Sequence, residues 1–287
     1  MFWVLNALLS AFFGASADAL CKKAVEDSNE YLVAWVRLGY ATPFLIAILP
    51  FIKFPELGIA FFFPVILLIP LEVTALILYI KAIKSSPLSL TLPFLALTPV
   101  FLIPTSFFML GERPGKFGLI GILLVTAGAY LLHVHTTYKG ILEPFRAIGR
   151  ERGSVLMIIV AFIYSITSNL GKMAIQHSSP VFFGSVYPII LGIALFPLMK
   201  YKSKASLSMI VSRPKMFALI GASIALMMLN HCIAISLTDV SYMISVKRTS
   251  LLFGIMYGAL VFKEVNIKER LLGSVVMIVG VVFITLI

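Results

Sequence analysis

Charge is what this chain has least of. Only 12% of its 287 residues are Asp, Glu, Lys or Arg, against 60% hydrophobic residues and a mean hydropathy of +1.05. A water-soluble domain of this length needs far more polar surface, so that class is excluded. Cysteine is scarce too. Cys21 and Cys232 are the only two, which excludes a disulfide framework. Both fall within or at the ends of apolar runs and read as small apolar fillers. Of the four histidines, His133 and His135 stand near the end of an apolar run, with no neighbouring cysteines or carboxylates to complete a metal site. Gly115-Lys116 is followed by Phe117, and Leu110 occupies the place of the first glycine, so the segment is not a phosphate-binding P-loop. No Ser-His-Asp set can be assembled. The sequence therefore argues against an enzyme and against a resident metal or cofactor. Nor does the net charge of +11 point to nucleic acid. Most of it lies in short segments between apolar runs, where it orients the chain and meets lipid headgroups.

What the chain does have is long apolar runs. They recur at about 20 residues, the length a helix needs to cross the hydrocarbon core. They predict ten spans, 2–21, 31–52, 59–80, 86–110, 115–135, 154–175, 180–199, 214–236, 240–262 and 267–287. Runs this continuous are helices, because barrel strands would alternate. The first run follows Met1 without a basic n-region or a clear cleavage site, so it reads as the first span rather than a signal. The expectation is a multi-pass integral protein of the inner (plasma) membrane. Prolines at 43, 64, 70, 93, 99, 104 and 188 fall inside spans, where membrane helices tolerate them as kinks.

The two halves align with each other. A shift of 152 lays residues 82–132 on 234–284 without a gap, and Glu112/Glu264, Lys116/Lys268, Gly121/Gly273 and Gly128/Gly280 are among the identities. A shift of 150 lays the first span on the sixth, with Ala11/Ala161, Phe12/Phe162 and Lys22/Lys172 coinciding. Five spans per half is an odd number, so the halves must insert in opposite senses. Inverted repeats are a mark of secondary transporters, whose substrate sits between the halves near the midplane. The expected architecture is an all-α membrane protein of ten transmembrane helices in two inverted five-helix repeats, 1–139 and 154–287, joined by a basic linker at 140–153.

Residues 97–132, LTPVFLIPTSFFMLGERPGKFGLIGILLVTAGAYLL, resemble the EamA half of the drug/metabolite transporter superfamily. The resemblance rests on a proline-bearing fourth helix, Gly111-Glu112 at its end, and a glycine-rich fifth helix. Residues 82–86 also resemble the segment entering that fourth helix, and the second half repeats the pattern with Lys263-Glu264. The resemblance implies a ten-helix carrier with a central cavity, no ATP hydrolysis and cytoplasmic termini. It leaves the substrate open among amino acids, drugs, nucleotide sugars, sugar phosphates and lipid-linked sugars. Ser245-Val246-Lys247-Arg248 further resembles a Val-Lys-Arg in the ninth helix of triose-phosphate translocators and some nucleotide-sugar transporters. In those carriers it contacts the substrate phosphate.

Lys247 and Arg248 are the sharpest functional signal. They are the only charges in 240–262. A charge at bilayer depth costs a few kcal/mol or more unless it faces a cavity or a partner. One cation can snorkel to the interface, but neighbours on a helix point about 100° apart. Their first-half equivalents are Leu95 and Ala96, so the repeat breaks its symmetry here. Glu72 reads either as counter-charge to Arg37, Lys247 or Arg248 or as a proton carrier. Arg37 either snorkels or lines the cavity. Tyr79, His231, Asn230 and Asn169 are polar residues inside spans, suited to a cavity wall or to interhelical hydrogen bonds. Asp18 and Lys22, four residues apart, suit a local ion pair. Lys22 and Lys172 are repeat equivalents and candidate gates of opposite mouths. Glu112 reads as a structural latch at a helix end, and Gly254/Gly258 as a small-residue packing pair.

The expected function is secondary-active transport of a small or lipid-linked anion, phosphate-bearing, by alternating access. Membrane lipids are its surroundings, and protons or a counter-transported anion its coupling partners. The alternatives are a proton-coupled exporter of amino acids or cationic drugs using Glu72 or Asp18, and a membrane-embedded lipid enzyme or scaffold. The orientation implied by charge differs from that of the resemblance. Leaving out Arg37, Lys247 and Arg248, 20 Lys and Arg remain. Sixteen of them lie at the connections 1–2, 3–4, 5–6, 7–8 and 9–10. By the positive-inside rule those are cytoplasmic and both termini lie outside. A cysteine placed within 200–213 should then stay unlabelled by an impermeant thiol reagent on intact cells; labelling there would reverse the assignment.

Overall fold

The computed structural model describes residues 1–25, 29–85, 94–137, 152–203, 210–260 and 271–286. Most of the predicted linker, and Lys263, Glu264 and Lys268, lie outside them. All regular structure described is helical. The helices are α1 (Phe2–Val25), α2 (Glu30–Gly39), α3 (Thr42–Ile46), α4 (Ile59–Ser85), α5 (Thr98–Leu110), α6 (Lys116–Thr137), α7 (Arg152–Gln176), α8 (Pro180–Ser203), α9 (Pro214–Ser236), α10 (Val240–Lys247), α11 (Ser250–Leu260) and α12 (Leu271–Thr285), with a 3-10 turn at Leu49–Phe51. By length and composition α1, α4, α7, α8 and α9 are able to cross a membrane, and α5, α6 and α12 contain shorter apolar helices. Large apolar side chains face outward along many of these helices, among them Phe62, Phe63, Ile66, Phe108 and Leu123. An outer surface of this kind suits hydrocarbon rather than water.

Two regions expected as single helices are broken. Residues 31–52 form α2, α3 and the 3-10 turn. Pro43 sits at the first turn of α3, a position that needs no N–H, so it starts a new helix rather than continuing the old one. The break at Tyr40–Ala41 packs on Gly221 of α9, where an added Cβ would lie 2.2 Å from the Tyr40 carbonyl. Residues 240–260 are likewise split, into α10 and α11, at Arg248–Thr249. There Thr249 N bonds Val246 O and Leu251 N bonds Arg248 O, both three residues back. Ser245 Oγ and Thr249 Oγ1 also bond backbone carbonyls of their own helix, at 2.6 and 2.8 Å. Such back-bonding competes with the helical ladder and bends it. The first half has the same break at the equivalent place: residues 94–95 are helical, 96–97 form a turn, and α5 begins at Thr98.

The main helix pairings recur when the halves are exchanged. α1 lies against α9 just as α7 lies against α4, and α10 and α11 adjoin α1 just as α5 adjoins α7. α6 pairs with its counterpart α12, and α2 with α8. The α6–α12 contact is made by the glycines identical between halves. A Cβ on Gly121 would lie 2.7 Å from Gly280 O, and one on Gly128 would lie 2.7 Å from Gly273 O. Each glycine thus meets the counterpart of the other one, with numbers rising on α6 as they fall on α12, and the two helices are antiparallel. The chain over residues 35–54 likewise runs against α8 in the opposite sense, with Trp35 Nε1 donating to Gly192 O at 3.1 Å and the Phe54 and Phe182 rings in contact. Counterparts pointing in opposite senses are what inverted halves require. Gly254 differs from its expected role: an added Cβ there would meet nothing within 4 Å.

Candidate functional site

Both broken segments open onto one cavity of about 210 Å³ between the halves. Its wall uses both members of several repeat pairs: Asp18 and Ser168, Arg37 and Tyr187, Glu72 and Ile224, Tyr79 and His231, Leu95 and Lys247. The cavity therefore lies on the pseudo-symmetry axis. Its positions are matched across that axis while its chemistry is not.

Arg248 follows the last residue of α10 and is 9% exposed. Its Nε is buried without a hydrogen-bond partner. The loosened turn brings both cations to the cavity, Arg248 from the break itself and Lys247 from the residue before it. Lys247 Nζ lies 3.1 Å from His231 Nδ1 and 3.4 Å from Met227 Sδ. Arg37–Asp18, Lys84–Glu30 and Lys172–Glu112 are ion pairs among the described residues. Neither Lys247 nor Arg248 belongs to one.

Several expectations change here. Arg37 does not reach for the interface. It lines the cavity and donates from Nη1 to Asp18 Oδ1 at 2.7 Å, with its guanidinium carbon 5.8 Å from the centre of the Tyr79 ring. Asp18 thus pairs across to α2 rather than along its own helix to Lys22, since an ion pair inside the wall offsets the cost of both charges. Glu72 lies in the wall against the Thr167 hydroxyl and forms no ion pair with Arg37, Lys247 or Arg248. Asn169 lies outside the cavity wall, fully buried between α5 and α7, where it bonds Ser106 Oγ, Thr105 Oγ1 and Ser165 O. Asn230 is outside it too and bonds Leu226 O. Lys22 stands near the end of α1, away from the wall.

Lys172 lies outside the cavity wall, in a buried ion pair. Its Nζ donates to Glu112 Oε1 and to Thr238 O, and Glu112 Oε2 accepts from Val240 N at 2.9 Å. One carboxylate therefore joins the end of α5, the C-terminal part of α7 and the first N–H of α10, where the helix dipole favours negative charge. Tyr242 Oη adds a bond from Gly115 N at 2.8 Å. The Lys172 and Glu112 side chains are 10% and 9% exposed, whereas that of Asp18, in the cavity wall, is 41% exposed. Sequence reasoning missed Tyr164, Tyr187 and the ring stack of Phe183 on Tyr187 (centroids 4.9 Å apart, planes at 7°). Aromatics are common in apolar spans, and only the fold shows which of them turn inward. Among the described residues no group of His, Cys, Asp and Glu is arranged to hold a metal ion.

The family model described as "EamA-like transporter family" matches this chain twice, over residues 1–134 and 151–286. A solved structure described only as "Crystal structure of protein" shares the fold, with a TM-score of 0.76 at 14% identity, covering 99% of this chain and 97% of the other. At that identity the likeness speaks for the fold alone. No curated protein matches the sequence.

Proposed function

The chain belongs to the EamA-like transporter family, and on that premise we propose a ten-helix secondary-active carrier that moves a small or lipid-linked phosphate-bearing anion across the inner membrane. The observation that carries the reading is the pair Lys247–Arg248. Two cations border an otherwise largely apolar cavity with no carboxylate among the described residues in ion-pair contact, and the guanidinium keeps an unused buried N–H at Nε. An ion left this way is costly unless something negative joins it. A guanidinium fork fits a phosphate and an ammonium adds a compact charge beside it. Export driven by protonation of Asp18 has less support, because that carboxylate is engaged by Arg37.

A thermal-shift screen of anionic metabolites and lipid phosphates on the purified protein tests the proposal. A ligand that binds only the folded state raises the melting temperature with its concentration. Phosphate-bearing anions should do so, less at high salt, and matched neutral molecules should not. No response to any anion would count against an anion carrier.

Alternating access needs gates, and the Glu112–Lys172 latch is the candidate for the closed end. Lys22, its sequence counterpart, is assigned by the repeat to the opposite mouth. Opening at the closed end must break the latch. In a Cys21→Ala background, Glu112→Gln should speed labelling of the cavity residue Cys232 several-fold by a small thiol reagent supplied from that side. Unchanged labelling would make the latch purely structural.

A further inference from the structure

Glu72 is a cavity carboxylate that the anion reading does not use. It lines the same wall as Lys247 and Arg248 and lies against the neutral Thr167 hydroxyl; Lys247 acts on it electrostatically from beyond ion-pair distance, and among the described residues it forms no ion pair. Its counterpart across the pseudo-symmetry axis is Ile224, so the charge is not part of what the two halves share. Once Asp18 and Arg37 cancel, the wall holds two cations, Lys247 and Arg248, and one carboxyl group, Glu72, which an adjoining ammonium would hold as the anion. Each group is the kind of charge that persists at this depth when something in the cavity complements it.

Resting on the proposed anion site, we infer that the substrate carries a protonated amine as well as its phosphate: an aminoalkyl phosphate monoester, with the phosphate on Lys247 and Arg248 and the ammonium on Glu72. Charge bookkeeping favours this class over a simple phosphate. A phosphate monoester bears about −1.5 to −2 at neutral pH, and one ammonium brings the molecule to roughly −1. That offsets the +1 left on the wall and gives each unpaired group an opposite charge. A phosphate without the amine leaves Glu72 facing an added anion. A phosphodiester with an amine, the chemistry of an aminophospholipid headgroup, is neutral overall and leaves the wall's net charge in place. The size agrees. A cavity of about 210 Å³ is below the range of about 300–1,000 Å³ usual for drug-sized ligands, so it suits a short alkyl link rather than a nucleotide.

Three probes separate the possibilities on the whole protein in detergent, with dissociation constants read by calorimetry. They are O-phosphoethanolamine, 2-hydroxyethyl phosphate (the same size without the ammonium) and glycerophosphoethanolamine (the lipid-headgroup diester). O-Phosphoethanolamine should bind at least about tenfold more tightly than 2-hydroxyethyl phosphate, the gain of one charge-assisted hydrogen bond, and more tightly than the diester. In Glu72→Gln the advantage of the amine should vanish while 2-hydroxyethyl phosphate binds as well as before or better. Equal binding of the two monoesters to the wild type overturns the ammonium site and leaves the anion site standing. Preference for the diester overturns the monoester assignment in favour of a lipid headgroup. Binding of none of the three overturns this inference, and the anion reading fails with it if inorganic phosphate is also inert. Should Glu72→Gln fail to fold, the wild-type comparison alone still decides.

Discussion

Lys247→Ala and Arg248→Ala should each weaken binding of the phosphate-bearing ligand by about 1.5–3 kcal/mol, the range for hydrogen bonds to charged groups, or roughly 10- to 150-fold in Kd. Three facts place these two residues first. They sit at the break between α10 and α11, they line the cavity, and neither is in an ion pair among the described residues. Arg248→Lys should restore part of the loss, since an ammonium keeps the charge and gives up the planar fork. The alanine variants should fold and insert, because removing an uncompensated cation from the interior relieves a cost. Titration calorimetry on each variant, beside its melting temperature without ligand, separates lost binding from lost structure. Wild-type affinity in both alanine variants would move the anion site elsewhere.

The second large effect is expected far from the cavity. Gly128→Ala should destabilise the protein by about 1–3 kcal/mol, the usual cost of overpacking a tight contact, and Gly128→Leu should prevent accumulation of folded protein. A Cβ at 128 would sit 2.5 Å from Met277 N and 2.7 Å from Gly273 O, both backbone atoms that cannot swing aside. Gly280→Ala should behave alike, with Val125 N at 2.7 Å and Gly121 O at 2.8 Å. Gly254→Ala is the control, since nothing lies within 4 Å of its added carbon. Melting temperatures in detergent check the set. A Gly128→Ala protein as stable as Gly254→Ala would mean that α6 and α12 do not meet through their glycines.

These glycines show how far the sequence reaches. Gly121/Gly273 and Gly128/Gly280 are visible as repeat identities, and with the odd span count they announce inverted halves. That they meet crosswise is a property of the axis relating the halves, and no one-dimensional alignment contains it. The broken helices were hidden for a different reason. Hydropathy reports how long a run stays apolar and says nothing about whether its backbone stays hydrogen-bonded, so 31–52 and 240–262 look as continuous as any other span. The clues were local: Pro43 in the first case, and Ser245 and Thr249 back-bonding around Arg248 in the second.

The charged residues divide in a similar way. Lys247 and Arg248 stand out because a polar atom in an apolar run needs a reason, whatever the fold. Their surroundings depend on contacts distant in sequence. Asp18 has Lys22 one turn away and bonds Arg37 instead. Lys172 is held by Glu112, 60 residues earlier. Glu72 has three cations available in principle and pairs with none. Asn169 and Asn230, polar residues of the same kind as Tyr79 and His231, turn away from the cavity because the helix rotation that aims a side chain is set by packing.

The most direct test of a central anion site worked by alternating access is exchange across a membrane. Purified protein would be reconstituted into liposomes loaded with an unlabelled phosphate monoester that raises the melting temperature. Uptake of the labelled compound from outside would then be followed. The account requires saturable uptake that depends on the internal compound and is lost in the Lys247→Ala, Arg248→Ala double variant. Uptake that persists unchanged in that variant, or tight binding with no exchange at all, would contradict it.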